Sequence, residues 1–375
     1  MKDMATVAHF LQGDLDWQSA YELSEAQAEA LQRSISHLRQ TPSLLEKAET
    51  YYRALFSDLA SPLKPSKLCD RTDEENAGLF SVIYLARLSV LGETLEKKGI
   101  PARYAEKASW HYRDLLQRNY NRYGYYGFNG MYRDGMVSYL TPSRFTLGRL
   151  TYEIGKFRQY HTPYTVYQNQ VDGSLLPLAK GGYAYLPNGK RASEDEKAVL
   201  MTTCLEKDRS LDGYTFDENG LLKASPISVS TEIWRSFLTD EDDVLWVHIP
   251  GGEALTPESV AESLREAKAF FSTYFPKTQF RAFVCSSWLL DTGLRAYLKE
   301  GSNILAFQKI FRIVMSHVNP MALYFNVFHV EEAIPLTELI PTNSFQARIL
   351  EAMKGGGHLY SGNGFLLFSD VENIL

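Results

Sequence analysis

The stretch VLWVHI (Val244 to Ile249), followed by PGGEALT (Pro250 to Thr256) and then PESVAESLREAKAFFSTYF (Pro257 to Phe275), decides the fold. The first part is short and almost wholly apolar, the pattern of a strand buried on both faces. Pro250-Gly251-Gly252 ends it. Thr256 is a good N-cap, Pro257 suits the first helical position, and Glu258 falls in the first turn. Val260, Leu264, Ala267, Phe271 and Tyr274 then recur at helical spacing and form one apolar stripe. Pro276 stops this helix, and FRAFVCSSWLL (Phe280 to Leu290) opens with a second strand that runs through about Val284. Two strands joined by a helical crossover form a parallel pair. The crossover helix starts just beyond a strand end, where its first backbone N–H groups point outward toward any bound phosphate.

Downstream, a short amphipathic helix is expected from Asp291 to Leu298. ILAFQKIFRIV (Ile304 to Val314) and MALYFNVFHV (Met321 to Val330) read as strands, and the turn signal Asn319-Pro320 between them predicts an antiparallel hairpin. A helix at Ser344 to Met353, a break at Gly355 to Gly357 and a strand from Tyr360 to Phe368 complete that end. Upstream, Arg144 to Tyr152 is a strand, and Gly- and Asn-rich turns follow it through Tyr214. The first third is helical. Ser24 with Gln27 makes a capping box ahead of Leu31, Ile35 and Leu38. Further helices start at Thr41-Pro42, at Thr72 with Glu75, and at Pro101; together they suit an antiparallel bundle. The Gly-, Tyr- and Asn-rich segment Tyr120 to Tyr139 marks a boundary. The expected domains are therefore a helical part, residues 1–125, and a mixed-sheet part, residues 126–375, giving an α/β (α+β) chain.

The succession strand, helix, strand resembles the second half of the GNAT-type N-acetyltransferase fold. The phrases FTLGRLTYEI (Phe145 to Ile154), VHIPGGEALTPESVAESLREAKAFF (Val247 to Phe271), CSSWLLDTGL (Cys285 to Leu294), SNILAFQKIF (Ser302 to Phe311) and TNSFQARI (Thr342 to Ile349) resemble, in order and spacing, a bacterial family of acyltransferase-domain proteins. That family joins a helical N-terminal domain to a GNAT-like C-terminal domain. The resemblance implies transfer of an acyl group, most simply from acetyl-CoA or another acyl-CoA, to a small-molecule or protein amine. It also implies that Gly251, Gly252 and the helix starting at Thr256 hold the donor's phosphates. The chain departs from the usual Arg/Gln-x-x-Gly-x-Gly/Ala phosphate turn, and Glu253 and Glu258 add negative charge beside it. That departure keeps a second reading open, a noncatalytic ligand-binding or sensor protein on the same scaffold.

Acyl transfer needs a base for the amine, donors for the developing oxyanion and an acid for the leaving thiolate. The resemblance places the oxyanion donors on the backbone of the central strand, around Val247 to Ile249. His248 is the only titratable side chain inside that strand and is the candidate base; its alternative is a hydrogen-bonded structural histidine. Tyr297 stands where such transferases keep their acid, although a stripe with Leu294 and Leu298 reads equally as core. Cys285 is a nucleophile candidate only if a base lies within reach, which would make the protein a cysteine-dependent hydrolase. Ser286 and Ser287, at the end of the second strand, are candidate ligand contacts.

Bulk properties exclude other classes. The 375 residues are 45% hydrophobic and 22% charged, which fits a globular protein. A net charge of -6 with no long basic run offers no footprint for nucleic acid or an anionic membrane. The N-terminus lacks a secretory apolar core, and no uninterrupted apolar run spans a bilayer, so a cytoplasmic protein is expected. Three widely spaced cysteines form neither a disulfide framework nor a zinc site. Phosphate-loop, zinc-protease and nucleophile-elbow signatures are absent. Gly355 to Gly364 follows a helix and reads as a cap and turn, and the acidic run Asp240 to Asp243 reads as a solvated turn.

Overall fold

The computed structural model describes residues 6–13, 16–57, 64–159, 162–192, 197–330 and 332–374. Its contacts divide the chain into two compact units, Met1–Thr146 and Leu147–Leu375. Among the described residues no helix is long and apolar enough to cross a membrane.

The first unit contains α1 (Val7–Gln12), α2 (Trp17–Ala20), α3 (Glu25–Gln40), α4 (Pro42–Phe56), α5 (Glu74–Leu88), α6 (Leu91–Glu96), α7 (Glu106–Tyr123) and α8 (Gly130–Tyr139). The capping box expected at α3 is present: the Ser24 hydroxyl accepts from the Gln27 N–H, and the Gln27 amide oxygen accepts from the Ser24 N–H. At α5 the cap is Asp73 rather than Thr72, and it accepts from the Asn76 N–H. This helix is buried along Asn76 to Leu88, so it forms the axis of the unit, and α3 and α4 both pack on it. The Tyr112 hydroxyl of α7 donates to the Ser81 carbonyl, and the Tyr84 hydroxyl donates to the Arg133 carbonyl of α8.

The division between units falls inside β1 (Arg144–Leu147), which Gly148 and Arg149 turn into β2 (Leu150–Lys156). The expected single strand is thus a hairpin. Gly148, at φ +58°, supplies the left-handed residue; a β-carbon there would lie 3.2 Å from Ser263 Cα. A block of small sheets follows: β3 (Tyr164–Asn169), β4 (Leu175–Ala179), β5 (Ala184–Tyr185), β6 (Leu200–Met201), β7 (Leu205–Lys207), β8 (Ser210–Gly213), β9 (Ile227–Ser230) and β10 (Trp234–Leu238). Strands β10, β3 and β4 form one sheet, and β7, β8 and β9 another. The chain then returns through β11 (Asp243–His248), α9 (Pro257–Tyr274), β12 (Ala282–Ser287), α10 (Asn303–Ile310), β13 (Arg312–Val318), α11 (Ser344–Lys354) and β14 (Tyr360–Leu367). The acids before β11 are paired rather than merely solvated: Asp243 meets Lys156 at 3.0 Å, Asp242 meets Arg281 at 3.3 Å, and Asp240 meets Lys180.

The main sheet runs β1-β2-β11-β12-β14-β13. The parallel pair expected from the crossover is β11 with β12. The downstream hairpin is not formed. Ile304 to Ile310 is the helix α10, because the Ser302 hydroxyl accepts from the Ile304 N–H and starts a helix within the apolar run. Leu323–Phe328 is a π-helix, with Leu323 and Val327 buried on one face. The partner of β13 is β14, inserted between β12 and β13. Gly362 and Gly364 therefore lie inside a strand rather than in a turn. A β-carbon on Gly362 would come within 2.4 Å of the Leu290 carbonyl oxygen, so only glycine lets that turn press on the sheet.

One face of the sheet carries α9. The other packs on the β10-β3-β4 sheet through Trp246, Val284, Val314 and Phe365 against Tyr164, Val166 and Ala179. The fully buried Ser263 of α9 joins helix to hairpin. Its hydroxyl donates to the Leu147 carbonyl at 2.5 Å, accepts from the Leu150 N–H at 3.1 Å and meets the Tyr152 hydroxyl at 2.8 Å. Ser263→Ala leaves these buried groups unsatisfied and should destabilise the protein by about 1–3 kcal/mol. The check is a shift of the chemical denaturation midpoint at unchanged slope.

Candidate functional site

Strand β11 serves two neighbours unequally. Against β2 it is paired along its whole length, from Asp243 opposite Lys156 to His248 opposite Thr151. Against β12 the pairing comprises Leu245 with Phe283 and Trp246 with Val284. Beyond Trp246 the central strand continues to His248 and β12 to Ser287, with no further pairing between them. This opening lies at the end where the chain enters the Pro250–Thr256 loop and α9.

Alternation of side chains assigns each candidate to a face. Trp246 and Val284 belong to the core on the β10-β3-β4 side, so His248 and Ser286 continue on that side. Val247 and Cys285 point to the α9 side, where Tyr152, opposite Val247, packs on Phe271 and Phe283. His248 therefore has a partner that the sequence does not announce. Its Nε2 lies 2.8 Å from Oε2 of Glu153, which stands opposite Trp246 on β2. The Glu153 side chain is 14% exposed and that of His248 30%, so the pair is half-buried at the mouth of the opening. A carboxylate so placed fixes the ring orientation and favours the tautomer with hydrogen on Nε2.

The loop after β11 is exposed from Gly251 to Ala254, and Gly252 adopts φ +102° with open space where a β-carbon would be. Thr256 caps α9 as expected, its hydroxyl accepting from the Ser259 N–H at 3.2 Å. A cation stands beside the loop acids. Arg149, from the β1–β2 turn, donates through Nε to the carbonyls of Glu253 at 3.0 Å and Ala254 at 3.4 Å. Partial burial lowers its pKa from the ordinary value, opposed by the Glu253 charge, but a guanidinium stays charged near neutrality. Arg149 thus brings a guanidinium to this loop from a neighbouring hairpin.

The other candidates disperse. Ser286 is exposed beside the opening, whereas the Ser287 hydroxyl accepts from the Leu289 N–H and caps a 3-10 turn. Ile249 follows the strand end and is half-buried. Tyr297, the cap residue just after the 3-10 helix Thr292–Ala296 rather than on an α-helix, packs against a separate apolar cluster around Leu294, Leu323, Val327 and Ile349. Cys285 is corrected outright as a nucleophile. It is fully buried, it faces away from His248, and burial pushes its thiol up to about 12. Among the described residues no cluster of His, Cys, Asp or Glu could hold a metal ion.

A parallel strand pair that parts at its C-terminal end, with a long crossover helix beginning at the parting, is the architecture of GNAT-like proteins. The chain belongs to the family of proteins with a GNAT-like C-terminal domain, whose model matches residues 145–366. Its fold is also that of solved acyltransferases at 19% sequence identity. One, in complex with decanoyl-CoA and teicoplanin, aligns over 94% of this chain and 87% of its own with a TM-score of 0.64. A mutant acyltransferase in complex with octanoyl-CoA aligns over 94% and 86% with a TM-score of 0.63. Among curated proteins none matches the chain.

The burial of Cys285 has a direct chemical readout. In the native protein at pH 8, iodoacetamide should label the half-buried Cys204 and leave Cys285 unmodified until denaturant is added, as read by peptide mass mapping. Labelling of native Cys285 would return it to the list of nucleophiles.

Proposed function

We propose that the protein transfers an acyl group from an acyl-CoA to the amine of a small-molecule acceptor. The observation that carries this reading is the His248–Glu153 pair at the parting of β11 and β12. His248 takes a proton from the acceptor's ammonium before attack, or from the amine as it attacks. The amine nitrogen forms a bond to the thioester carbonyl carbon, and the carbon–sulfur bond then breaks to release CoA as thiolate or thiol. Glu153 is a positioning residue that orients the ring and balances the imidazolium as it forms. Backbone N–H groups between Val247 and Ile249 are the candidate oxyanion donors.

The donor's phosphates sit at Gly251, Gly252 and the α9 N-terminus beside Thr256, where outward N–H groups and the Arg149 guanidinium offset Glu253 and Glu258. Ser286, on the His248 face, contacts the thioester or the acceptor. The neighbours of like fold hold octanoyl-CoA and decanoyl-CoA, and one also holds teicoplanin, so medium-chain donors come first and acetyl-CoA second. A cytoplasmic setting goes with such donors. Tyr297 is not assigned the acid role, because its ring is engaged in the neighbouring apolar cluster.

The test is calorimetric titration of the full chain with acetyl-, octanoyl- and decanoyl-CoA. Saturable binding is expected, and Arg149→Glu should weaken it about tenfold or more, since it reverses a cation beside the loop acids. No heat with any donor, from protein shown to be folded, would pass the site to the ligand-binding reading. In turnover assays on an amine panel, His248→Gln should lower kcat by about a hundredfold to ten-thousandfold, the usual scale of general-base catalysis. Glu153→Gln should lower kcat less, with the donor Kd unchanged; an equal loss of donor affinity would make Glu153 a structural residue only.

A further inference from the structure

Away from the His248 opening, the second unit carries a groove of about 530 Å³ between β4, the Thr215–Lys223 segment, α10 and the start of β13. Its lining divides by chemistry. Leu175, Leu176, Pro177, Phe216, Phe311 and Ile313 provide an apolar floor. Lys223, Arg295, Lys309 and Arg312 stand around it, all exposed, against Asp217 and Glu218. This is a local excess of positive charge on a chain of net charge -6. Asp217 is held in its own turn, its Oδ1 accepting from the Asn219 and Leu221 N–H groups at 2.9 Å, so four cations stand against two carboxylates.

The arginines are held rather than free to sweep. Nη1 of Arg295 donates to the Asn219 amide oxygen at 2.7 Å, and its Nε donates to the Gln308 amide oxygen at 3.3 Å. Gln308 is itself buried and anchored, its Nε2 donating to the Leu289 and Asp291 carbonyls at 2.9 Å. Arg312 donates to the Leu175 carbonyl at 3.3 Å. Guanidinium groups fixed at the rim lose less side-chain freedom when they meet an anion. The groove's volume falls in the range of small-molecule sites, about 300–1,000 Å³.

We infer that this groove is a second ligand site, for an anionic amphiphile whose apolar body lies on Leu175–Pro177, Phe216 and Phe311 and whose phosphate or carboxylate meets Arg295, Lys309 and Arg312. It is separate from the proposed donor site. β13 is three strand positions from β11, about 14 Å at the usual spacing, and the core of Trp246, Val284, Phe365 and Val314 fills the interval. The inference therefore stands or falls independently of the acyltransferase reading.

Titration of the full chain with decyl phosphate below its micelle threshold tests it, with decanol and inorganic phosphate as single-feature controls. One saturable site is expected, and each control should bind more than tenfold more weakly. Lys309→Glu with Arg312→Glu should weaken decyl phosphate at least tenfold at unchanged melting temperature. If that pair fails to fold, Lys223→Glu on the opposite wall should still weaken it severalfold. Absence of saturable binding, unchanged affinity in these folded variants, or full displacement by CoA, which has no apolar chain, would overturn the assignment; displacement by CoA would place the amphiphile at the donor site. His248→Gln should bind decyl phosphate as the parent protein does.

Discussion

The unequal pairing of β11 is the constraint on which the candidate site rests. One edge is tied to β2 as far as His248, and the other is tied to β12 only through Leu245 and Trp246. Each strand is held on its outer side, β11 by β2 as far as His248 and β12 by β14 as far as Ser287, while their mutual pairing ends at Trp246. Backbone groups at such an end face solvent or a ligand instead of another strand. The crossover helix begins at the same point because the chain has just left the strand. The opening and the helix N-terminus beside it are thus products of one topological event.

Side-chain parity then sorts the chemistry. A period of two residues places His248 and Ser286 on one face and Cys285 on the other, however near they stand along the strands. Burial finishes the sorting, since the fully buried Cys285 thiol is pushed up by desolvation. Glu153 reaches His248 because an antiparallel partner brings its side chain diagonally across, opposite Trp246.

The acids in the loop after β11 have a similar resolution. Read along the chain, Glu253 and Glu258 make the α9 N-terminus poor ground for a diphosphate. In space, the β1–β2 turn brings Arg149 onto the same loop, and glycine at 148 allows that turn because it takes φ +58° without a β-carbon that would press on Ser263 of α9. The cation is remote in sequence and adjacent in structure.

Local signals in the sequence determined the helical first part, the capping box at Ser24, the β11–α9–β12 crossover, the Thr256 cap and the family resemblance. Each rests on periodicity, capping or short-range order, which a chain carries residue by residue. Only the tertiary structure decided the rest. Apolar runs such as ILAFQKI suit strand or helix equally, and the Ser302 cap together with Gln308 anchoring to Leu289 and Asp291 settled that one. The insertion of β14 beside β12 depended on Gly362 meeting Leu290, a contact between distant segments. Glu153 beside His248 and Arg149 beside Glu253 depended on strand register and a hairpin turn. Such pairings are set by long-range packing, which no local window of sequence contains.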